Sequence, residues 1–427
     1  MREMIVGCLA VLMVFAIGVG VNQSRSNADA WTVEGDFVEF YTAGRILNDH
    51  HGDRLYDLAL QEQINHELVP GETSLKLPFL YAPFLAGLFR PLALLPFSQA
   101  RLVFLVITPL LFLGALALLI QRFGPHSGEE RLLALMAGLS FFPFLGYNWL
   151  GTQISVIGFG AIALALCEED RGRPFLSGLA LSVCLYKPSL LVLILPMTIV
   201  SGKLRQFAGF LAGAGLLTVA SLWVAGSHST LAFVEGLGGV IAQSTTSAGR
   251  YNPYRYVDLN ALFRLLPLGR SLGGYVLLGI IALTAAVALV KVWLQSRTAD
   301  RPERLFAWAA TLTWMLVLNI YTPFYDAILV VAAALLAVAA TQSRGLAGWN
   351  RLAPALLCVY FVPWVAEVLA RTVSVQLYTL VLAGFGTLLV LEARSRMPAI
   401  VNSSKANAGT DIWTRAMIAT TKSSGEK

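Results

Sequence analysis

Long apolar segments dominate this sequence and restrict what it can fold into. A helix needs about 20 residues to cross a lipid bilayer, and runs of roughly that size occur at residues 5–21, 102–120, 204–224, 275–290, 352–369 and 377–391. The chain is 56% hydrophobic and 13% charged, about half the charged fraction of a soluble domain. The runs are continuous rather than alternating, which favours helices over a membrane barrel. The sequence therefore predicts an all-α polytopic membrane protein.

Basic residues predict the orientation of the spans, because loops rich in Lys and Arg face the cytoplasm. All basic segments between spans can face the cytoplasm together under one condition. Residues 175–186 and 189–200 must form two short legs that enter the membrane from the cytoplasm and return to it. Pro188 breaks the helix between the legs. About twelve hydrophobic segments follow, two of them short, with both termini inside. The basic residues collected in this way are Arg122, Arg131, Arg171, Arg173, Lys203, Arg205, Lys291, Arg297, Arg301, Arg304, Arg344, Arg351 and those of the tail from residue 394.

The same topology leaves the unusual polar segments outside, at residues 22–76, 146–153, 226–258 and 321–326. We expect residues 1–398 to form one transmembrane domain, with 22–76 and 226–258 as its main outer loops. Residues 399–427 are expected to form a disordered cytoplasmic tail. The letters "ADA" at residues 28–30 resemble a signal-peptidase site, but the apolar stretch before them is longer than the usual about 7–15 residues. An uncleaved first helix is the preferred interpretation.

The charge and the cysteines exclude some classes of function. The net charge of +6 comes mostly from loops between spans, which indicates membrane orientation rather than a nucleic-acid partner. The cysteines Cys8, Cys167, Cys184 and Cys358 lie in or beside apolar runs without metal-like spacing. They are predicted to be packing residues, and neither a metal nor another cofactor is predicted.

Asp36 and Lys187 are the charged residues with the clearest chemical meaning. Asp36 closely follows the first helix and precedes aromatic residues; such a carboxylate could hold a raised pKa and act as a general base, or could be a solvated helix cap. Lys187 stands between two apolar legs, where an ammonium needs a counter-charge. That partner is either the phosphate of a lipid ligand, which we prefer, or a salt bridge to Asp36 or Asp326.

Other polar residues on the outer side are weaker candidates. Asp326 begins an apolar helix, and its carboxylate suits either a site or simply the helix N-terminus. Arg250 and Arg255 lie among tyrosines, a mixture that fits phosphate and sugar binding or an ordinary interfacial belt. Asn148, Trp149 and Gln153 could bind a sugar or cap a turn.

These motifs together resemble glycosyltransferase family 87, a branch of the membrane-embedded C-type (GT-C) glycosyltransferases. The resembling segments cover about residues 35–340 in a consistent order. They are "GDFVEFYTAGRIL", "LYAPFLAGLFRPLALLPF", "GTQIS", "KPSLLVLILPMTIVSGKLRQFAGFLAG", "NALFRLL" and "YTPFYDAILVVAA".

The resemblance implies a GT-C-type bundle with a large first extracytoplasmic loop, in the plasma or inner membrane. It implies an inverting hexosyltransferase that moves a sugar, mannose by preference, from a polyprenyl-phosphate donor to an envelope acceptor such as a glycolipid or glycan. Asp36 matches the base of the family, and Lys187 and Asp326 match its later motifs. We further expect Arg250 and Arg255 to bind the donor phosphate with Lys187, and Tyr41, Tyr81, Gln153 and Asp326 to bind substrate. The alternative is a transporter or flippase for a lipid-linked or polar solute.

Overall fold

A computed structural model describes residues 2–25, 35–68, 78–245 and 252–395. Of its residues 83% are helical, and no strand occurs in the described ranges. Short 3₁₀ segments and one π-helix, Pro143–Leu150, join the α-helices. The α-helices are α1 Arg2–Arg25, α2 Phe37–Asn48, α3 Leu58–Leu68, α4 Pro83–Phe89, α5 Phe97–Phe123, α6 Gly128–Leu139, α7 Ser155–Asp170, α8 Pro174–Ser182, α9 Ile194–Val200, α10 Leu204–Thr245, α11 Leu259–Leu265, α12 Leu272–Ser296, α13 Arg301–Leu318, α14 Leu329–Ser343, α15 Trp349–Phe361, α16 Pro363–Val373 and α17 Leu377–Arg394.

The chain is a multi-pass membrane protein. Five described helical segments are long and apolar enough to cross a bilayer. Two bent pairs raise this number to seven if each pair is one span: Gly128–Leu139 with Pro143–Leu150, and Trp349–Phe361 with Pro363–Val373. The five are Phe97–Phe123, Leu204–Gly236, Leu272–Ser296, Phe324–Ser343 and Leu377–Arg394. The predicted total of about twelve segments stays a prediction.

The helices differ in how much protein surrounds them. The span Phe324–Ser343 is 83% buried, whereas Leu204–Gly236 and Leu272–Ser296 are each 22% buried. The outer faces of the latter two carry exposed apolar side chains such as Trp223 and Leu283, as expected of surfaces in contact with lipid tails. The segment containing α14 is therefore central, and α10 and α12 lie at the periphery.

The predicted broken hairpin is confirmed. Its first leg is α8 with the 3₁₀ turn Val183–Tyr186, and its second is the 3₁₀ turn Pro188–Leu191 with α9. Lys187, between the two turns, has non-helical dihedral angles (φ −139°, ψ 83°). Because proline has no amide hydrogen and restricts the residue before it, the helix ends at this point and Lys187 lies at the tip.

Ion pairs tie one end of the bundle together, which we call the basic end. Asp170, the last residue of α7, pairs with Arg122 at 2.5 Å and with Arg301 at 2.8 Å. Arg344, after α14, lies buried between Glu303 at 2.7 Å and Glu392 at 3.5 Å. Residues from several basic segments therefore meet at one end, which confirms that these segments share one side of the bundle.

Two predicted outer loops contain regular structure. Residues 22–76 include α2 and α3, and α10 continues through the first part of 226–258 to Thr245, with a break at Gly226 (φ 76°). α1 packs by Phe15 against Trp364; its retention in the mature protein stays a prediction. The expected tail, 399–427, lies outside the described residues.

Candidate active site

A buried ion pair joins the hairpin tip to the start of the central span. Lys187 Nζ lies 2.5 Å from Asp326 Oδ2, and the side chains are only 10% and 2% exposed. Ser155, the first residue of α7, donates to Asp326 Oδ1 at 2.7 Å. Lys187 Nζ also lies 4.5 Å from the centre of the Tyr325 ring. Of the two partners considered for Lys187, the structure contains the salt bridge to Asp326.

The backbone around this pair is held by neighbouring segments. Asn319, after the end of α13, donates to the carbonyl of Ser189 at 2.9 Å. Asn148 donates to the carbonyl of Tyr325 at 2.8 Å, so its amide supports the backbone beside Asp326. Ser155 begins α7, whose last residue Asp170 is at the basic end. The Lys187–Asp326 pair thus lies at the end of α7 opposite to the ion pairs of the basic end.

Asp36 lies where the chain meets the turn after the π-helix. Its amide donates to the Gly151 carbonyl at 3.2 Å, and the amide of Phe37 donates to the Thr152 hydroxyl at 3.0 Å. Thr152 has a positive φ of 54°. A Cβ on Gly35 would lie 2.6 Å from Thr152 Oγ1, so the close approach requires glycine there. The backbone of Asp36 is fixed on both sides by this turn.

The carboxyl group of Asp36 is not used to cap its helix. Asp36 occupies the N-cap position of α2, but its side chain makes no capping hydrogen bond. The side chain is half-buried, and burial raises the pKa of Asp36 from 3.8 to about 7, while the charge of Arg255 opposes the rise. A carboxyl that titrates near neutrality suits a general base. The capping interpretation is therefore wrong, and the base stays a prediction.

Glu39 is a second acid in this region that sequence reasoning missed. It lies one helical turn after Asp36, so both side chains share a face of α2, and it is 5% exposed. Burial and the charge of Asp36 raise the pKa of Glu39 well above its usual value, and the charge of Lys187 lowers it. The three-residue spacing in "DFVE" was the available signal. It could not show that the position is buried.

Tyr81 and Arg255 also face this group of charges. Burial, and then the charges of Glu39 and Asp36, raise the pKa of Tyr81 well above its usual range. Arg255 is exposed, and its Nε lies 3.5 Å from Glu367 Oε1. We call Asp36, Glu39, Tyr81, Lys187 and Asp326 the polar cluster. Arg255 stands beside it, near enough for its charge to act on Asp36.

The remaining predicted residues lie at different distances from the polar cluster. Gln153 is buried two residues before Ser155, and no hydrogen-bond partner for its side-chain oxygen is present in the described structure. Tyr41 donates instead to the Leu95 carbonyl at 2.9 Å and packs edge-on against Phe97. The structure therefore does not bring the Tyr41 hydroxyl to the cluster. Arg250 lies outside the described residues.

More buried oxygens near the ion pair lack partners in the described ranges. The hydroxyl oxygens of Ser189 and Thr322 have none, like the side-chain oxygen of Gln153. Each lies within four residues of Lys187, Asp326 or Ser155 along the chain. Buried polar atoms are normally hydrogen-bonded, so these three oxygens could accept hydrogen bonds from a polar ligand. No set of three or more potential metal-binding side chains occurs among the described residues.

An apolar groove begins at the same hairpin tip. It has a volume of about 370 Å³ and is lined by Leu185, Pro188, Leu191, Val192, Leu195, Pro196, Ile199 and Phe207. Val192 and Ile199 are half exposed on the outer surface. The groove thus runs along the second leg of the hairpin, beginning beside Lys187.

The fold and these residues define an all-α membrane protein with a polar cluster at one end of its helices. A model of glycosyltransferase family 87 matches residues 79–323, more than half of the chain. The chain belongs to glycosyltransferase family 87. The resemblance stated from the sequence motifs is thereby confirmed.

One curated relative extends the comparison. The polyprenol-phosphate-mannose-dependent alpha-(1-2)-phosphatidylinositol pentamannoside mannosyltransferase of Mycobacterium tuberculosis (strain CDC 1551 / Oshkosh) is 28% identical over 297 residues. The alignment covers 65% of this chain and 61% of the relative. No solved structure matches this chain.

Proposed function

We propose that this chain is an inverting mannosyltransferase. It takes mannose from a polyprenyl-phosphate donor and places it on a hydroxyl group of an extracytoplasmic glycolipid or glycan. The observation that carries the proposal is the position of Asp36, fixed by the Thr152 turn and electrostatically coupled to the buried cluster, in a member of this glycosyltransferase family. The choice of donor follows from the specificity in the name of the mycobacterial relative.

Asp36 is the general base of the proposed reaction. Its carboxylate removes the proton of the acceptor hydroxyl while the acceptor oxygen bonds to the anomeric carbon of mannose. The bond from that carbon to the phosphate oxygen breaks, and its electron pair leaves with the polyprenyl phosphate. A single displacement of this kind inverts the anomeric configuration. The pKa of Asp36 of about 7 leaves a substantial ionised fraction at neutral pH.

Lys187 and Arg255 stabilise the charge on the leaving phosphate. An ammonium offers three N–H donors, and Asp326 occupies one of them at 2.5 Å. Asp326 and Ser155 fix the direction of the ammonium, so fixed positive charge is in place before the reaction begins. Arg255 is exposed, and its distance of 3.5 Å to Glu367 makes a weak pair that an arriving phosphate can displace.

The apolar groove supports a lipid-linked donor. A polyprenyl chain is a flexible hydrocarbon, and the groove beside Pro188 offers hydrocarbon walls. Because the groove begins next to Lys187, a donor lying in it would bring its phosphate to the hairpin tip. The polar cluster would then receive the sugar.

The position of the polar cluster favours a transferase over a transporter. The transporter alternative predicts a cavity near the middle of the membrane. Ser155 and Lys187 instead occupy helix ends, opposite the basic end. Because basic segments face the cytoplasm, the polar cluster is expected to face the periplasm or the exterior.

A transfer assay tests the proposed function. Purified protein in nanodiscs is mixed with radiolabelled polyprenyl-phosphate mannose and a membrane lipid extract as the source of acceptor. We expect Asp36→Asn to lower transfer by about 100-fold or more, with donor binding kept. Asp49→Asn, which changes an exposed acid of the same region, serves as the matched control and should remain active. A wild type that transfers neither mannose nor glucose or arabinose from such donors would contradict the proposal.

A further inference from the structure

Glu39 differs from the other buried acids in the described part of the chain. Its residue exposure is 5%, yet no hydrogen bond or ion pair joins its side chain to another described residue. The other buried acids have such partners: Glu168 pairs with Arg171, Asp258 accepts from Ala261 and Thr322, Glu303 and Glu392 pair with Arg344, and Asp326 pairs with Lys187. Burying a carboxyl group without a partner is costly. A buried carboxyl group of this kind is therefore expected to serve function rather than stability.

The position of Glu39 shows what its carboxyl group faces. It shares a helix face with Asp36, and its charge interacts with those of Asp36 and Lys187. Glu39 also acts electrostatically on Tyr81 and Tyr321, which come from two other segments. Three groups from distant chain segments, Tyr81, Lys187 and Tyr321, therefore lie near enough to Glu39 for the charges to interact.

A second observation concerns the residues that lie next to the ion pair along the chain. The side-chain oxygens of Gln153, Ser189 and Thr322 are fully buried and have no hydrogen-bond partner in the described structure. They flank the Lys187–Asp326 pair and Ser155 in sequence. A ligand that satisfies all of them must present several hydrogen-bonding groups. Sugar hydroxyls do so, since each donates one hydrogen bond and accepts others.

We propose that Glu39 is a sugar-binding residue of this active site, whose carboxyl group hydrogen-bonds a hydroxyl of a bound sugar beside Asp36. This inference rests on the proposed function. The sugar belongs either to the lipid donor or to the acceptor, and both offer the same hydroxyl chemistry. Burial and the neighbouring Asp36 raise the pKa of Glu39 well above its usual value, and in its protonated form the carboxyl group can donate one hydrogen bond and accept another.

The inference predicts opposite effects on stability and on activity. Glu39→Leu removes an unpaired buried carboxyl, so the free protein should be as stable as the wild type or more stable. Transfer should fall by at least about tenfold, the scale of one lost hydrogen bond. Glu39→Gln keeps a donor and an acceptor of nearly the same shape and should stay within a few-fold of wild type. The matched control is Glu303→Leu, which removes the nearer of the two carboxylates that pair with the buried Arg344 and should lower the melting temperature.

The assay uses full-length protein in nanodiscs. Binding of radiolabelled polyprenyl-phosphate mannose is measured without acceptor, and transfer is then measured while the membrane lipid extract is varied. Weaker donor binding in Glu39→Leu assigns the contact to the donor sugar. Unchanged donor binding with a higher requirement for extract assigns it to the acceptor sugar. Either result, with an unchanged or raised melting temperature, supports the inference.

Three outcomes would overturn it. The first is an active, folded Glu39→Leu with normal donor binding and transfer. The second is a melting temperature lowered as in Glu303→Leu, which would make Glu39 a packing residue. The third is a Glu39→Gln variant in which only the pH dependence moves, which would mean that Glu39 acts solely through Asp36. A wild type without transfer overturns the proposed function and the sugar contact with it. An active wild type together with any of the three outcomes above overturns only the contact.

Discussion

The amide of Phe37 donates a hydrogen bond of 3.0 Å to the hydroxyl of Thr152, a residue 115 positions later in the chain. This bond connects the helix that begins after Asp36 to the turn before α7. The same turn leads within three residues to Ser155, which holds Asp326. The acid and the ion pair of the polar cluster are thus positioned from one short segment.

Gly35→Ala should disturb this connection. The new Cβ would lie 2.6 Å from Thr152 Oγ1, so the turn must shift, at a cost of about 1–3 kcal/mol. We expect a lower melting temperature and reduced transfer. Combining it with Thr152→Ala removes the clashing oxygen and leaves the next atoms 3.7 Å away, so the double variant should regain part of the stability. Equal melting temperatures for wild type and Gly35→Ala would contradict this reading.

Transfer should depend on pH through Asp36. A general base must be ionised, so kcat/KM should fall as the pH drops through about 7, the pKa to which burial raises Asp36. The charge of Arg255 lowers that pKa, so Arg255→Gln should move the acidic limb of the profile to higher pH. Arg255→Lys keeps the charge and should leave the limb nearly in place. Identical acidic limbs in wild type and Arg255→Gln would show that the charge of Arg255 does not affect the pKa of Asp36.

The Lys187–Asp326 pair should show both a structural and a functional role. Removing one member leaves a buried uncompensated charge, which costs about 3–5 kcal/mol, so Lys187→Met and Asp326→Asn should each lower the melting temperature. The double variant should be more stable than Lys187→Met alone. It should still fail to transfer, because the cation for the phosphate is missing. A stable and active double variant would show that the pair serves stability alone.

Filling the groove should affect the lipid part of the donor. Val192 lines the groove and is half exposed, so Val192→Trp can be accommodated while the groove becomes smaller. We expect a higher KM for a long-chain donor and little change for a donor with a short chain. Leu211→Trp, at an exposed apolar position outside the groove lining, is the matched control. Equal effects on both donors would show that the lipid chain of the donor does not lie in this groove.

Cysteine labelling should distinguish the two ends of the bundle. In a variant without the native cysteines, Asp53→Cys follows α2 and His126→Cys lies beside the basic end, both at exposed positions. An impermeant maleimide added to intact cells should label Asp53→Cys and label His126→Cys only after lysis. The reverse labelling pattern would show that the polar cluster faces the cytoplasm.

Apolar runs and proline made much of the fold predictable. The membrane class follows from composition, and the hairpin follows from Pro188 between two runs too short to span. The number of spans was harder to predict from the sequence, because α13 is almost wholly surrounded by protein. Its Arg301 and Glu303 are paired at the basic end, so its hydropathy does not report contact with lipid.

The site was predictable where one residue conflicts with its local surroundings. Lys187 in an apolar hairpin needs a counter-charge, and Asp326 was among the partners considered. Glu39 shows the opposite case, since its burial depends on the packing of α2 against segments that are distant in sequence, such as α4. Tyr41 stands two residues after Glu39, and on a helix that spacing faces another direction. Its hydroxyl bonds Leu95 for this reason.

The hairpin carries two unlike surfaces within a few residues of one another. Lys187 at its tip presents a fixed charge, and the leg from Pro188 onward presents the apolar groove. Their spacing is set by covalent bonds rather than by packing between separate helices. A lipid phosphate that binds both surfaces must therefore match this fixed spacing. The distance between its charged group and its first hydrocarbon units decides whether it fits.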